Sequence, residues 1–266
     1  MPAWLTVILL GIIEGITEFL PVSSTGHLLV AEHWLPRQTD LFNVVIQCGA
    51  VLAVLPLFSG RLHQFFFRWR EPATRGYLLK ILVAFALTGA GGYIMDKKNF
   101  KLPEQLMPVA VALFIGGLLF VIVENVLRRR VLKNEVTWPI VIAVGIGQLI
   151  AAAFPGTSRS GATILLALML GLNRVAATEF TFLVGIPTML AAGGLKIFKG
   201  LHHHGSAPAE NWAMVALGFV VAAVVSFLAV RWLLRYVQTH TFISFGWYRI
   251  ALALFILVLL ELSGRT

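Results

Sequence analysis

The stretch EGITEFLPVSSTGH, residues Glu14 to His27, interrupts an apolar segment with two carboxylates, a proline, a run of hydroxyls and a histidine. The runs on either side, Val7 to Leu10 and Leu28 to Val30, are wholly apolar, as is typical of lipid contact or a fully buried core. Packing alone gives no reason for polar groups in such a place. The stretch therefore predicts a functional site inside an apolar region.

The composition is that of an integral membrane protein. Of the 266 residues, 58% are hydrophobic and 12% charged, whereas a soluble domain has roughly 25% charged residues. The net charge of +9 does not predict nucleic-acid binding, because the basic residues form short clusters between apolar spans, as orientation signals and anionic-lipid contacts do. The first apolar run lacks the basic start and small-residue cleavage site of a signal peptide, so we expect it to be retained.

Six stretches are long and apolar enough to cross a bilayer as a helix, which takes about 20 residues. They are Leu41 to Phe58, Tyr77 to Met95, Pro103 to Val123, Phe180 to Phe198, Trp212 to Leu234 and Thr241 to Leu262. Two further apolar regions, Trp4 to Leu35 and Trp138 to Leu172, contain charged and helix-breaking residues. Such backbone is tolerated at membrane depth only where protein encloses it or it lines a cavity. We therefore expect an all-α membrane protein with about six transmembrane helices and two re-entrant helical hairpins.

The two interrupted regions resemble each other, and each is followed by three spans. The alignment pairs Gly11 with Gly145, Glu14 with Gln148, Pro21 with Pro155 and Ser24 with Ser158, and Gly26 meets Gly161 after one inserted residue. A hairpin plus three spans makes an odd number of crossings, so the second copy runs in the opposite sense to the first. This predicts one membrane domain, 1–266, built as an inverted-topology repeat of about 1–125 and 135–266.

Basic clusters predict the orientation, because cytoplasmic loops carry an excess of Lys and Arg. The clusters lie after the first and third spans and at the end of the fifth: Arg61, Arg68, Arg70 and Arg75; Arg128, Arg129, Arg130 and Lys133; Arg231 and Arg235. With six spans these loops share one face, which we interpret as cytoplasmic, and both termini then lie outside. Lys97, Lys98 and Lys101 fall on the outer face and oppose this majority.

Glu14 and Glu18 are four residues apart, so in a helix they share one face. Each mid-membrane charge costs about 2.5–3.5 kcal/mol, and these two with Arg159 would cost on the order of 8 kcal/mol, comparable to a whole protein's stability. They must be paired or solvated in a cavity. Paired carboxylates suit a hard divalent cation such as Mg²⁺, which completes its shell with water and phosphate oxygens.

Two segments, Pro21 to Gly26 and Pro155 to Gly161, each show a chain break followed by a new helix start. Ser and Thr favour the cap position, and the exposed amides with the helix dipole form an anion site. Arg159 adds a forked donor that matches phosphate oxygens. The candidate substrate-binding residues are Ser23, Thr25, Gly156, Ser158, Ser160 and Thr163. For the serines alone, ordinary helix capping explains the pattern equally well.

Ser24 and His27 are three residues apart, so one helical turn brings the hydroxyl and the imidazole near the same phosphorus. Either is a candidate nucleophile, with the other assisting by proton transfer. Outside these motifs, Asn43 with Gln47 and Thr178 with Glu179 either line the cavity or bridge helices. The run His202, His203 and His204 lies beside Gly205 and Pro208 and predicts a solvated loop rather than a metal site.

In order along the chain, EGITE at Glu14 to Glu18, PVSSTGH at Pro21 to His27, PGTSRSGAT at Pro155 to Thr163 and TEFTFLVGIP at Thr178 to Pro187 resemble the undecaprenyl-diphosphate phosphatases, also called the bacitracin-resistance family. The resemblance implies hydrolysis of a polyprenyl diphosphate to the monophosphate, which recycles the lipid carrier of cell-wall synthesis. It implies a divalent cation, Mg²⁺ or Ca²⁺, and an active site that opens to the periplasm from the bacterial inner membrane. The expected partners are the lipid and the membrane, with a homodimer left open.

The resemblance also assigns roles to single residues. It gives the acidic pair to Glu14 and Glu18, with Glu18 also counted as catalytic. Phosphate or nucleophile roles fall to Ser23, Ser24 and His27, and phosphate binding falls to Ser158, Arg159, Ser160 and Thr163. One position departs from the family pattern: Asn43 stands where many members have an acid, so it receives no metal-ligand role.

The main alternative is a transporter or flippase of a polyprenyl phosphate, because inverted repeats with broken midplane helices are a transporter plan. The carboxylate pair with Ser24 and His27 argues against it, since a carrier of an anion has no need of groups that repel its cargo. The histidine-based lipid phosphatases share short SGH-like and SR segments with this chain, but their other motif residues are not found.

Overall fold

The computed structural model describes residues 1–98, 100, 105–202, 211–262 and 264, and this part of the chain is almost wholly helical. In order, the helices are α1 (Ala3–Thr17), α2 (Ser24–Ala31), α3 (Asp40–Val54), α4 (Ser59–Phe67), α5 (Pro72–Lys97), α6 (Leu106–Leu127), α7 (Trp138–Ala153), α8 (Arg159–Met169), α9 (Arg174–His202), α10 (Trp212–Tyr236) and α11 (Ile243–Leu262). A 3₁₀ turn, Leu55–Phe58, joins α3 to α4.

Six helical stretches of the described residues are long and apolar enough to cross a membrane, which confirms the six predicted spans. They are Asp40–Phe67, Pro72–Lys97, Leu106–Leu127, Arg174–Lys199, Trp212–Tyr236 and Ile243–Leu262. The first is longer than predicted, because the chain passes through the 3₁₀ turn at Pro56, which lacks an N–H for the α-helical bond, and continues as α4. The chain is therefore a multi-pass, all-α membrane protein.

The two interrupted regions fold as pairs of short helices, α1 with α2 and α7 with α8, and the helices of each pair pack against each other. The breaks fall at residues 18–23 and 154–158, where the prolines and hydroxyls predicted them. At 1.5 Å per residue, α1 and α7 are each shorter than the roughly 30 Å of a bilayer core. Their re-entrant path through the membrane stays a prediction.

The two breaks share an unusual backbone geometry at Ser23 and Ser158, which have φ of 74° and 66° and are the only non-glycine residues with positive φ in the described chain. Each side chain accepts a hydrogen bond from the N–H three residues on, that of Gly26 at 3.3 Å and that of Gly161 at 3.1 Å. The equivalent of Ser158 is therefore Ser23, and the predicted pairing of Ser24 with Ser158 is wrong. The extra residue of the second copy precedes its serine.

Helices of each half pack against helices of the other half, in corresponding pairs. Helix α1 packs on α10 while α7 packs on α5, and α3 meets α9 as α6 meets α11. A Cβ on Gly11 would lie 3.0 Å from the Gly218 carbonyl oxygen and 3.1 Å from Val221, and the corresponding neighbours of Gly145 are Ala84 and Leu87, at the same sequence offset. This correspondence supports the inverted repeat, which itself stays a prediction.

A wholly buried carboxylate ties three spans together at one end of the bundle. Glu124, in the last turn of α6, accepts hydrogen bonds from Arg174 Nε at 2.9 Å and Nη2 at 2.5 Å. It also accepts from the Phe242 N–H at 2.9 Å, immediately before α11. The starts of α9 and α11 are thereby fixed to the end of α6.

Candidate active site

The two breaks, about 140 residues apart in sequence, meet directly in the structure. Ser160 Oγ, at the start of α8, donates to the Leu20 carbonyl oxygen at 3.0 Å. Arg159 Nη2 lies 3.5 Å from Glu18 Oε1, and the side chains of both residues are mostly buried. The residues predicted from both motifs therefore line one shared site.

Glu18 lies at the centre of this site, with a different partner on each carboxylate oxygen. Ser24 Oγ donates to Oε2 at 2.7 Å, while Oε1 faces Arg159. Glu14 lies one helical turn earlier and is also buried, and it interacts electrostatically with both Glu18 and Arg159. A hydroxyl hydrogen-bonded to a carboxylate is the arrangement in which the carboxylate takes the proton as the oxygen attacks.

The Arg159 guanidinium has one nitrogen that is unpaired among the described residues. Its Nη1 atom is buried and has no hydrogen-bond partner among the described atoms. The guanidinium lies over the Phe19 ring, with Cζ 5.9 Å from the ring centroid. It has room because residue 185 is a glycine, where a Cβ would come within 2.5 Å of Nη1. A forked cation held in place with an unsatisfied donor matches an incoming phosphate oxygen.

His27 is held at both ring nitrogens. Nδ1 lies 2.7 Å from the Ser23 carbonyl oxygen, which only accepts hydrogen bonds, so Nδ1 carries the proton. Nε2 of the neutral ring is then the acceptor for the Tyr248 hydroxyl, 2.6 Å away. The two rings are nearly parallel, with centroids 5.6 Å apart. In this arrangement Nε2 is already occupied and does not face a substrate as a free nucleophile.

The remaining hydroxyls of the site bond mainly to backbone. Ser23 and Ser158 cap α2 and α8, as the capping interpretation predicted. Thr163 Oγ1 donates to carbonyl oxygens of its own helix, at 2.8 Å to Arg159 and 3.1 Å to Ser160. Thr25 is half-buried beside Ser24. Ser24 differs from Ser23, Ser158 and Thr163 because it donates to a carboxylate.

The backbone conformation at position 156 requires a glycine. Its φ is +92°, and a Cβ there would lie 2.8 Å from backbone atoms of Val109 in α6. A side chain at this position would be strained and would push the second break away from α6. Gly156 therefore forms a tightly packed turn, and its predicted role in substrate binding stays a prediction.

The predicted divalent cation has two candidate carboxylate donors at the site, Glu14 and Glu18, and its binding stays a prediction. Among the described residues, no group of three or more His, Cys, Asp or Glu side chains forms a metal site. Oxygen donors are those preferred by Mg²⁺ and Ca²⁺. Both side chains are buried close to the Arg159 guanidinium.

Two residues of this environment were not predicted from the sequence, Tyr248 and Arg249 in α11. Tyr248 contacts His27 from a position 221 residues away, and nothing local in sequence indicates that contact. Arg249 is wholly buried within a transmembrane helix. Its signal was present, since an intramembrane charge is a functional candidate by default.

The secondary candidates separate from the site. Glu179 pairs with Arg61 of α4, and Thr178 Oγ1 donates to the Arg174 carbonyl oxygen at 2.8 Å. The predicted alternatives for Glu179 were to line the cavity or to bridge helices, and its ion pair with Arg61 is a bridge between helices. Asn43 and Gln47 are half-buried on α3. The histidine run 202–204 and Lys101 lie outside the described side chains.

Buried carboxylates, a hydroxyl and a forked cation thus lie where two broken helices of a polytopic membrane protein meet. The family model for bacitracin resistance protein BacA matches residues 7–255. The chain belongs to this family.

Curated relatives cover almost the whole chain. An undecaprenyl-diphosphatase of Rhizobium etli (strain CIAT 652) is 49% identical over 255 residues, covering 96% of both chains. One of Xylella fastidiosa (strain 9a5c) is 48% identical over 253 residues, covering 95% of this chain and 97% of the relative. One of Xanthomonas oryzae pv. oryzae (strain PXO99A) is 47% identical over 261 residues, covering 98% of both chains.

Proposed function

We propose that this protein is an undecaprenyl-diphosphatase, which hydrolyses undecaprenyl diphosphate to undecaprenyl phosphate and inorganic phosphate. The family membership and the names of its relatives support this activity. The observation in the structure that carries it is the hydrogen bond from Ser24 to Glu18 beside the free donor of Arg159. The product is the lipid carrier of peptidoglycan synthesis, so the activity recycles that carrier and confers bacitracin resistance.

Ser24 is the nucleophile in this proposal. Its Oγ attacks the terminal phosphorus, its proton passes to Glu18, and the bond from that phosphorus to the bridging oxygen breaks. Undecaprenyl phosphate leaves with the electron pair and takes the proton from Glu18. Water then attacks the phosphoserine, Glu18 accepts the proton of the water and returns it to Ser24, and inorganic phosphate leaves. Ser24 is favoured over His27 because Glu18 faces its hydroxyl, whereas Tyr248 occupies Nε2 of His27.

Arg159 and the two helix starts stabilise the charge of the transferred phosphoryl group. The unpartnered Nη1 of Arg159 supplies a charge-assisted donor, and the first turns of α2 and α8 supply amides and the positive ends of helix dipoles. Phosphoryl transfer depends chiefly on such positioning and electrostatics. Ser23, Thr25, Gly156, Ser158, Ser160 and Thr163 shape this cradle.

Glu14 and Glu18 are the residues that would hold the divalent cation, Mg²⁺ or Ca²⁺. When bound, such a cation neutralises diphosphate oxygens and so lowers their repulsion from the attacking oxygen. Glu18 also keeps its contacts to Ser24 and Arg159 in the structure.

The protein would lie in the bacterial inner membrane with its site open to the periplasm. The basic clusters at or beyond the ends of α4, α6 and α10 support this orientation, because such clusters favour the cytoplasmic face. In the inverted repeat, α1 and α2 would enter from the outside and α7 and α8 from the cytoplasm, so that the breaks meet between the two faces. A homodimer stays a prediction.

The test is phosphate release from undecaprenyl diphosphate by the purified protein in detergent, with and without a chelator. We expect wild-type protein to release phosphate, the chelator to stop release, and Mg²⁺ or Ca²⁺ to restore it. Glu14→Gln should need more cation for half-maximal rate. A folded wild-type protein that releases no phosphate under any cation would refute the activity, and full activity in chelator would refute the cation.

A transporter of polyprenyl phosphate is the second candidate. It is favoured by the corresponding contacts that helices of each half make with helices of the other half. The two functions separate in sealed vesicles that carry labelled polyprenyl phosphate in one leaflet. Movement of the label without phosphate release from the diphosphate would favour the transporter. Phosphate release that Ser24→Ala abolishes would favour the phosphatase, because a carrier has no use for a nucleophile.

A further inference from the structure

Arg249 is a wholly buried cation whose hydrogen-bond partners are backbone carbonyls. The guanidinium donates to five of them, at distances between 2.9 and 3.4 Å. No carboxylate of the described chain lies within ion-pair distance of it. A buried charge normally needs an ionic partner, so the carbonyl dipoles here replace one.

Three of the five carbonyls belong to the two breaks. Nη1 donates to the Pro21 oxygen at 3.2 Å in the first break. Nη2 donates to the Gly156 oxygen at 3.4 Å and to the Thr157 oxygen at 2.9 Å in the second. One side chain of α11 thus joins the segment immediately before Ser24 to the segment immediately before Arg159.

The other two carbonyls belong to α6, which anchors the guanidinium. Nε donates to the Leu113 oxygen at 3.4 Å and Nη2 to the Ala112 oxygen at 3.3 Å. Glycines leave the space that the guanidinium fills: a Cβ would lie 2.2 Å from Nη2 at Gly116 and 2.8 Å from Nη1 at Gly161. The fit depends on all three nitrogens of a planar fork, which a lysine cannot reproduce.

We propose that Arg249 is a positioning residue, which holds the two breaks in register so that Ser24 and Arg159 act on the same phosphoryl group. This inference rests on the proposed phosphatase function and deepens it. Ser24 and Arg159 occupy equivalent first positions of α2 and α8. The three break carbonyls bonded to Arg249 lie two or three residues before those two positions, so a shift of either break moves one group relative to the other.

The test compares Arg249→Lys and Gly116→Ala with the wild-type protein. Lysine keeps the charge but offers one nitrogen, and the alanine methyl displaces the guanidinium without removing it. A misplacement of about 1 Å costs on the order of 10²-fold in rate, so we expect kcat to fall by about that factor in both variants. Matched controls are Arg231→Lys, at an exposed arginine of α10, and Gly89→Ala, where a Cβ meets open space.

The readouts separate positioning from stability. Thermal unfolding in detergent gives each variant's folded fraction, and kcat and KM for undecaprenyl diphosphate are measured well below its melting temperature. Added guanidinium ion should partly restore kcat to Arg249→Ala, which a purely structural role does not predict. If wild type releases phosphate while folded Arg249→Lys and Gly116→Ala keep kcat within about twofold, the proposal is wrong. Failure of both variants to fold would make Arg249 a structural residue and also overturn it. Inactive wild type would instead refute the phosphatase.

Discussion

At the scale of single residues, the site separates hydroxyls that stabilise the backbone from one that faces an acid. Ser23 and Ser158 accept from amides, and Ser160 and Thr163 donate to carbonyls. The Ser24 hydroxyl alone in this set donates to a carboxylate. The sequence could not distinguish them, because five hydroxyl residues of two similar motifs look alike until their partners are known.

Replacing Ser24 by alanine should remove the nucleophile and lower phosphate release by at least about 10³-fold. The measurement is the initial rate in detergent, together with trapping of radiolabelled phosphate on the protein. Label should appear on wild type and on His27→Ala but be absent from Ser24→Ala. Ser226→Ala is a matched control outside the site, since it removes a buried hydroxyl that has no hydrogen-bond partner among the described residues. Label that persists in Ser24→Ala and disappears in His27→Ala would identify the histidine instead.

Replacing Tyr248 by phenylalanine should loosen His27 while leaving the ring contact in place. One hydrogen bond is worth about 1 kcal/mol, so a change of roughly fivefold in kcat is expected, with little change in melting temperature. Tyr93→Phe, at an exposed tyrosine of α5, is the control. An unchanged kcat in Tyr248→Phe would show that the His27–Tyr248 hydrogen bond has no part in turnover.

At the scale of helices, the spans were predictable and the geometry of the breaks was not. Length and hydropathy located six spans, because a bilayer imposes both. The sequence showed where the two interrupted regions break, since proline and small polar residues end helices. The predicted alignment of the two copies was wrong at the serines. Tertiary structure imposes the positive φ of Ser23 and Ser158, and a serine in the sequence does not indicate it.

Helix α9 contacts the Arg159 guanidinium at Gly185, where the lack of a side chain leaves space for it. Gly185→Ala should displace Nη1 and lower kcat by about 10²-fold, because the donor moves away from the phosphoryl group. Gly194→Ala in the same helix meets open space and should behave as wild type. Equal rates for the two variants would mean that the position of Nη1 does not matter for catalysis.

At the scale of the whole molecule, buried polar contacts fix the spans relative to each other. Lipid supplies no hydrophobic force between helices, so packing of small residues and interhelical hydrogen bonds hold them together. Gly117 and Gly246 let α6 and α11 approach closely, since a Cβ on Gly117 would lie 2.6 Å from the Gly246 carbonyl oxygen. Glu124 adds an ion pair between α6 and α9 and accepts a hydrogen bond from the backbone N–H immediately before α11.

Glu124→Ala should therefore destabilise the protein by about 3–5 kcal/mol, because it leaves Arg174 unpaired and removes the acceptor at the start of α11. Unfolding in detergent is the measurement. Glu135→Ala, at an exposed glutamate in the loop before α7, should change stability little. Similar melting curves for the two variants would show that the buried ion pair is not a major source of stability.

The predicted orientation is testable with single cysteines. In a background with Cys48 replaced by alanine, cysteine at Phe100 should react with an impermeant maleimide in intact cells. Cysteine at Arg70 should react only after the membrane is opened, because the basic loop after α4 is expected in the cytoplasm. The reverse pattern would invert the topology and place the site's opening on the cytoplasmic side.

The Nη1 of Arg159, which has no hydrogen-bond partner among the described residues, also links anion binding to folding. An anion that accepts from this donor binds the folded protein and not the unfolded chain. Occupancy of the site should then raise the melting temperature even when no turnover occurs. Inhibitors of this enzyme are accordingly detectable by thermal shift, without the lipid substrate.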